Sequence, residues 1–370
     1  MGSIVGVTRG TDKFASFKEL LKLTNFDDTL LLEFKKSHKN KKDFRIIIKP
    51  NMMVYVNPKD HEVVVTDKEL VEYLVDHVIS LGFSDISVCE ARNDVGRMLQ
   101  NHTVDFVSQQ IGYEPKGRYK IVDLSLESLP FTFLYKGKKG NIKKWKDKVG
   151  KSWKEADFRI TFAKLKTHEH DWMTLAVKNV YGCFPPADKV AKYHIKSEVW
   201  IATSRLLRNF TVHFAFVDGW VASDGFQGYK IPNPKPLKML FGGQDAVAVD
   251  TEIFKRAGLK PEKSKFLKAT MEQLADGKLP GYEVKGDKKT MFKDLCDWDN
   301  IEDKTVETIN VLEEVYVAWG FINLKPAAMS VDYELFPPKG WLNKFLVALS
   351  QKLYKLFNHF RWYRKLYERK

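Results

Sequence analysis

Hydrophobic and polar positions alternate along this chain with two different periods, and the changes of period mark its elements. Ser3–Thr8 (SIVGVT) and Phe44–Lys49 (FRIIIK) are short β-branched runs, which predict buried strands of a parallel sheet. The second run meets Pro50 in Lys49-Pro50-Asn51, where a residue without an N–H stops the ladder. A weak helical pattern covers Lys18–Leu23. Thr66-Asp67-Lys68-Glu69 has the spacing of a capping box. Leu70, Leu74, His77, Val78 and Leu81 then follow at helical intervals, and Gly82 is the expected cap. Asp85–Glu90 (DISVCE) is the next strand. This strand–helix–strand unit predicts a parallel crossover. Further strands are expected at Tyr119–Leu124, Asp157–Phe162, Thr211–Val217 and Leu237–Phe241, and helices at Val104–Ile111, Glu198–Arg208, Asp245–Ala257 and Lys263–Leu274. Lys136–Lys154 reads as a hairpin or mobile loop, and Gly225–Pro236 as a Gly- and Pro-rich loop. The expected class is therefore α/β: a mostly parallel sheet with helices on both faces, in two lobes. Residues 1–260 would form the core, 261–338 a helical or mixed extension, and 339–370 a basic amphipathic helix.

Charge changes this picture by its position. The formal net charge is +14 over 370 residues. Lys136–Lys154 holds nine Lys against one Asp, and Lys339–Lys370 holds six Lys and three Arg against one Glu. Together these two segments account for the whole excess, so the body is close to neutral. Local basic patches of this kind point to a polyanionic partner. In the C-terminal segment Leu342, Phe345, Leu346, Leu349, Leu353, Leu356, Phe360, Tyr363 and Tyr367 recur on one helical face, while Lys344, Lys352, Lys355, Arg361, Arg364 and Lys365 lie largely off it. Trp341 and Trp362 add interfacial anchors. A long basic amphipathic helix of this pattern suits an anionic membrane surface; packing on the body or on a second subunit is the competing use of the same face. Lys136–Lys154, with Trp145 and Trp153, could touch the same surface. Nucleic acid is the disfavoured polyanion, because no helix-turn-helix, zinc-finger or RNA-recognition signature occurs.

Three cysteines, Cys89, Cys183 and Cys296, form no CxxC pair. They read as buried small hydrophobes and suit a reducing, cytoplasmic setting. An iron–sulfur cluster needs about four ligands, mostly Cys, so none is expected from this chain alone. The N-terminus has no long apolar segment, and nowhere is there a run of about 18 apolar residues that could span a bilayer.

An ordered set of short motifs resembles the DUF362 family. Lys49-Pro50-Asn51 is similar to its KPN element. Ala163-Lys164-Leu165-Lys166-Thr167-His168 resembles its P-K-L-K-T-H motif, followed by Thr174, Lys178-Asn179 and Gly182, then Phe184-Pro185, Lys189, His194, Asp218-Gly219 and Asp245–Asp250. Ala163 stands where the family usually has Pro, and Pro186 where a Gly is usual. The resemblance spans roughly residues 1–260. Members are sometimes joined to ferredoxin-like cysteine modules, so it implies a possible redox partner protein. A looser, fold-level likeness to nickel-pincer lactate racemases carries no cofactor with it.

These motifs supply the candidate site. Lys164–His168 follows a predicted strand, at the edge where open α/β sheets bind ligands. Lys49, Asn51, Lys164, Lys166, Thr174, Asn179 and Lys189 are expected to bind a small anionic substrate, a carboxylate, a phosphate or a lipid-linked group, with the lysines as point charges. His168 and His194 suit general acid–base chemistry; Lys178 suits a base or Schiff-base role if buried. Asp218, which ends an apolar strand, is read evenly as catalytic or structural, as is Asp250. Glu90 lies at another probable sheet edge. His168, His170 and His194 could also hold a divalent metal with a nearby carboxylate. No GxGxxG or P-loop spacing supports a nucleotide. An enzyme working near a membrane is the first expectation. A non-catalytic protein that holds a metal, a cofactor or a partner, such as a second copy, is the alternative. The expected membrane contacts are Trp341, Phe345, Leu349, Lys352, Leu353, Lys355, Phe360, Arg361 and Arg364.

Overall fold

The computed structural model describes residues 3–168, 171–195, 199–224, 233–293 and 331–357. Its strands are β1 (Ser3–Arg9), β2 (Ile46–Pro50), β3 (Ile86–Glu90), β4 (Lys120–Asp123), β5 (Ser128–Lys136), β6 (Ile142–Gly150), β7 (Phe158–His168), β8 (Trp172–Thr174), β9 (Phe214–Asp224), β10 (Asn233–Lys235), β11 (Met239–Gly243) and β12 (Tyr282–Gly286). Ten of them form one sheet, in the order β12-β1-β11-β9-β7-β2-β3-β4, with β8 added to β7 and β10 to β9. Along that path only β11 runs against the rest. The mostly parallel sheet is thus as the sequence predicts.

Two-residue alternation divides the apolar side chains between the faces of this sheet. Ile46, Ile48, Phe158, Ile160, Phe162, Phe214 and Phe216 belong to one core. It is closed by the helices Lys13–Leu23, Phe26–Ser37, Lys68–Ser80 and Val104–Ile111, which bury Phe17, Phe26, Leu74 and Val107 there. Ile47, Ala163, Leu165, Ala215 and Val217 belong to the other, under the helices Val199–Asn209, Ala246–Arg256 and Lys265–Leu274. Helices therefore flank both faces, which explains why the central strands read as unbroken apolar runs.

Three boundaries differ from the sequence reading, each for a physical reason. Thr66 is not the helix cap: Asp67 is, accepting from Glu69 N at 2.9 Å, while the Thr66 hydroxyl donates to Phe162 O at 2.7 Å. Lys164–His168 does not follow its strand but belongs to it, because β8 and β9 supply ladder partners as far as His168. Asp218 lies inside β9, directly opposite Lys164, and not at a strand end.

Lys136–Lys154 contains the tip and second strand of a regular antiparallel hairpin, β5–β6, paired from Ser128↔Gly150 to Lys136↔Ile142. Trp145 is half-buried and Trp153 buried, so neither is a surface anchor. The last described helix is Gly340–Phe357. Its body-facing side carries buried Asn343 and Val347, with Leu342, Leu346 and Leu349 half-buried. Phe345, expected on the apolar face with these leucines, points outward with Trp341; they are 57% and 78% exposed. Just upstream, buried Phe336 packs on Tyr55, His102 and Phe106. Lys352 is exposed. The side chains of Leu353 and Lys355, and all of Phe360, Arg361 and Arg364, lie outside the described residues, as does most of Thr290–Tyr316. Among the described residues no helix is long and apolar enough to cross a membrane.

Candidate functional site

Parallel pairing puts the C-terminal ends of β2, β3 and β7 on one edge of the sheet, and there the lysine motifs meet. Lys49, fully buried at the end of β2, donates to Glu90 Oε2 at 2.7 Å, to Asn179 Oδ1 at 3.2 Å and to Pro50 O at 2.6 Å. Glu90 ends β3 and also accepts from Ala91 N at 3.1 Å and Met52 N at 3.3 Å. A buried carboxylate is stable when its lone pairs are met in this way. Asn179 is clamped between strands: its Nδ2 donates to Lys49 O at 2.8 Å and to Thr161 Oγ1 at 3.0 Å.

Asn51 carries the network across. Its Nδ2 donates to Asn179 Oδ1 at 3.3 Å, and its Oδ1 accepts from Lys166 Nζ at 2.7 Å. Lys166 also donates to Val64 O at 2.6 Å. From Asn51 N the chain of bonds runs through Thr66 to β7. One step along, Lys164 and Asp218 form a buried cross-strand ion pair of 2.8 Å, and Asp218 further accepts from Asp67 N and Trp220 N. Asp218 thereby joins β7 and β9 to the cap of Lys68–Ser80.

The turn bearing Lys178 and Asn179 is set from behind. Asp250 accepts from Ala176 N and Val177 N, each at 2.9 Å, and its burial pushes its pKa up to about 8. Asp171 accepts from Ser264 Oγ and Lys265 N, both at 2.6 Å, capping the helix Lys265–Leu274, with burial raising its pKa to about 7. Gly182 is required by close approach. A Cβ there would lie 2.5 Å from Glu90 Oε1 and 2.6 Å from Lys49 Cε. The carbonyl of Gly182 accepts from Lys189 Nζ at 3.0 Å. Lys189 precedes a π-helical turn, Val190–Ile195, whose first N–H is held by Asp94 Oδ2 at 2.9 Å.

Crowding of like charge is the electrostatic signature of this edge. Burial holds the Lys166 ammonium far below the ordinary lysine range, and Lys178, Lys164 and Lys49 push the same way. Burial likewise lowers Lys189 to about 8, with Glu90 opposing. Amines lowered in this way give up a proton more readily than an ordinary lysine.

The structure thus joins Lys49, Asn51, Lys166 and Asn179 in one hydrogen-bonded network with Glu90, and sets the Lys164–Asp218 pair beside it on β7 and β9. Thr174, opposite Lys166 in the β7–β8 ladder, lies beside it, and Lys189 adjoins it through Gly182. Lys178 is half-buried over the Phe266 ring at 5.6 Å, so Lys166 and Lys189, more than Lys178, meet the burial that an amine base needs. His168 closes β7 opposite Trp172, whereas His194 lies on the π-helical turn, 5.8 Å from the Tyr181 ring. His170 falls outside the described residues, and among these no group of three His, Cys, Asp or Glu side chains is placed to hold a metal. Sequence reasoning placed Glu90 at a sheet edge but gave it no role. Its only signal was an acid closing an apolar strand. It also took Cys89 and Cys183 as separate; both are buried, and burial, with the neighbouring Cys183 thiol, raises Cys89.

An open α/β sheet with lysines gathered at its parallel strand ends is the class that fold and site define. Within that class the chain belongs to the DUF362 family, described as a domain of unknown function, whose model matches residues 46–255. No curated protein matches the chain.

Proposed function

We propose that this protein is an enzyme that binds a small anionic substrate, bearing a carboxylate or phosphate, at the lysine-rich edge of β2, β3 and β7. The observation that carries the reading is the convergence of Lys49 from β2, Lys164 and Lys166 from β7 and Lys178 from the turn after β8, close enough that three of them depress the fourth. Lys49 and Lys164 are paired with Glu90 and Asp218; an anion beside Lys166 and Lys178 relieves the repulsion that remains among the four. Lys166 and Lys189 then serve as acid–base groups, since each exchanges a proton more readily than an ordinary lysine. The test is a thermal-shift titration with inorganic phosphate, pyrophosphate and simple carboxylates. Binding should raise the melting temperature, and Lys166→Met should weaken that binding about 10- to 100-fold, the loss of a charge-assisted hydrogen bond or two. Equal shifts for both proteins would sink the proposal. Binding without turnover of any bound anion would favour a non-catalytic carrier.

A second element of the reading is that the protein works against an anionic membrane. It is supported by outward Trp341 and Phe345 flanked by exposed Lys344 and Lys352 on Gly340–Phe357, an arrangement suited to the interface. Vesicle binding weakened by Trp341→Ser with Phe345→Ser is the expected result. Unchanged binding would remove the helix from the reading.

A further inference from the structure

The hairpin β5–β6 has two faces of opposite character. Inward, Phe133 is buried, and Phe131 and Trp145 pack with Phe210 and Phe184. One edge is fastened to the body: Leu134 exchanges two hydrogen bonds with Asn209, and Lys136 two with Gln273. Asp147, the one acid in Lys136–Lys154, also turns inward, to Tyr193 and Lys192. It therefore does not neutralise the other face.

That outward face carries Lys144, Lys146 and Lys148 on alternate positions of β6, about 7 Å apart along the strand, with Lys138 and Lys139 at the tip. All five are exposed, and none makes an ion pair among the described residues. Beside the row stand Ile142, 55% exposed, and Leu134, 43% exposed and directly opposite Lys144. A fixed ladder thus presents unneutralised ammonium groups around two bare aliphatic side chains.

We infer that this outward face of β5–β6 is a docking surface for an anionic lipid bilayer, with Ile142 and Leu134 entering the headgroup layer and Lys144, Lys146 and Lys148 lying on lipid phosphates and carboxylates. This rests on the membrane reading above and places a second contact on a different element. Charge complementarity selects the partner. The segment has no Arg, so it offers point charges suited to a diffuse anionic layer, not bidentate forks suited to individual phosphates. The hairpin's aromatic rings, which would stack on nucleic-acid bases, are packed inward or, like Tyr135, covered by Arg205 at 3.9 Å. Aliphatic side chains gain from acyl boundaries and little from a phosphate backbone.

The test is cosedimentation of the full chain with phosphatidylcholine vesicles, with and without phosphatidylserine, at low and high salt. Binding should require phosphatidylserine and fall with salt. Changing Lys144, Lys146 and Lys148 together to Gln should weaken it about 100-fold, from the contribution of each basic residue near an anionic leaflet. Ile142→Ser should weaken it again, while Lys→Arg at the same three positions should retain it. Wild-type binding by the triple Gln variant would overturn the hairpin surface. If Trp341→Ser with Phe345→Ser alone abolished binding in that case, the helix reading would survive. Tighter retention on polyuridylate than on vesicles, indifferent to Ile142→Ser, would replace the bilayer with nucleic acid. The phosphate titration of the lysine site is independent of every one of these outcomes.

Discussion

Lysine does two different jobs in this chain, and the contrast lies between the sheet edge and the hairpin. At the edge Lys49, Lys164, Lys166 and Lys189 are buried, each with donors aimed at named oxygens. On the hairpin Lys144, Lys146 and Lys148 stand in water with no counter-ion among the described residues. Formal charge counts the two sets alike. Their energetics differ because an ammonium taken out of water must be met by acceptors or lose its proton, while a solvated one costs almost nothing. Burial therefore sets where substitution is felt as instability and where it is felt only as lost association.

The sharpest way to break this comparison is to strand a buried charge. Asp218→Ala leaves Lys164 inside without its carboxylate and should cost about 3–5 kcal/mol in urea unfolding. Replacing both partners, Lys164→Met with Asp218→Leu, should recover only part of that loss, because Asp67 N and Trp220 N lose their acceptor. A stable Asp218→Ala protein would mean the edge is not governed by its ion pairs.

Next is pH. Burial lowers Lys189 from 10.5 to about 8, so between these values the folded state binds fewer protons than the unfolded chain. Stability contributed by this group therefore rises with pH across that window, by about 3 kcal/mol in all. Lys189→Met should flatten the rise, measured as the wild-type minus variant difference in unfolding free energy. If Lys189 is also the working base, turnover should climb through pH 8.

A smaller effect comes from crowding without any change of charge. Gly182→Ala drives a methyl group toward Glu90 and Lys49 and should cost about 1–3 kcal/mol by forced displacement, with weaker phosphate binding. At the other extreme, Lys144→Gln, Lys146→Gln and Lys148→Gln should each change stability by no more than about 0.5 kcal/mol, read from melting curves. A large loss there would show that the hairpin lysines hold the fold.

The apolar frame was legible because its signals are local. Ile46–Ile48, the helical spacing through Val78 and the helix Val104–Ile111 each follow from neighbours in sequence. What misled was polar content inside buried elements. Lys164, Lys166 and Thr167 read as a loop after a strand, yet they continue β7 because β8 and β9 cover it, and those partners come later in the chain. Thr66 fits a capping box by spacing, but a bond to Phe162 O, 96 residues away, draws it to the sheet and leaves the cap to Asp67. Of the motif residues, Lys49, Asn51, Lys166 and Asn179 meet in the fold. Nothing in their spacing could tell which lysine would be buried deepest, or that Glu90 would be the partner of Lys49. On the hairpin, alternation was masked because every outward position of β6 from Lys144 to Lys148 is a lysine, while the inward Phe133 sits on the preceding strand.

The position of β1 carries a consequence for the order in which the molecule assembles. The first strand of the described chain pairs on one side with β11, at Met239–Gly243, and on the other with β12, at Tyr282–Gly286. Both neighbours emerge from the ribosome more than two hundred residues later. Residues Ser3–Arg9 are therefore made long before either partner, while β2, β3 and β4 can already close their shorter crossovers. Such distant closures are the slow ones, and a nascent chain halted before Met239 lacks both partners of β1.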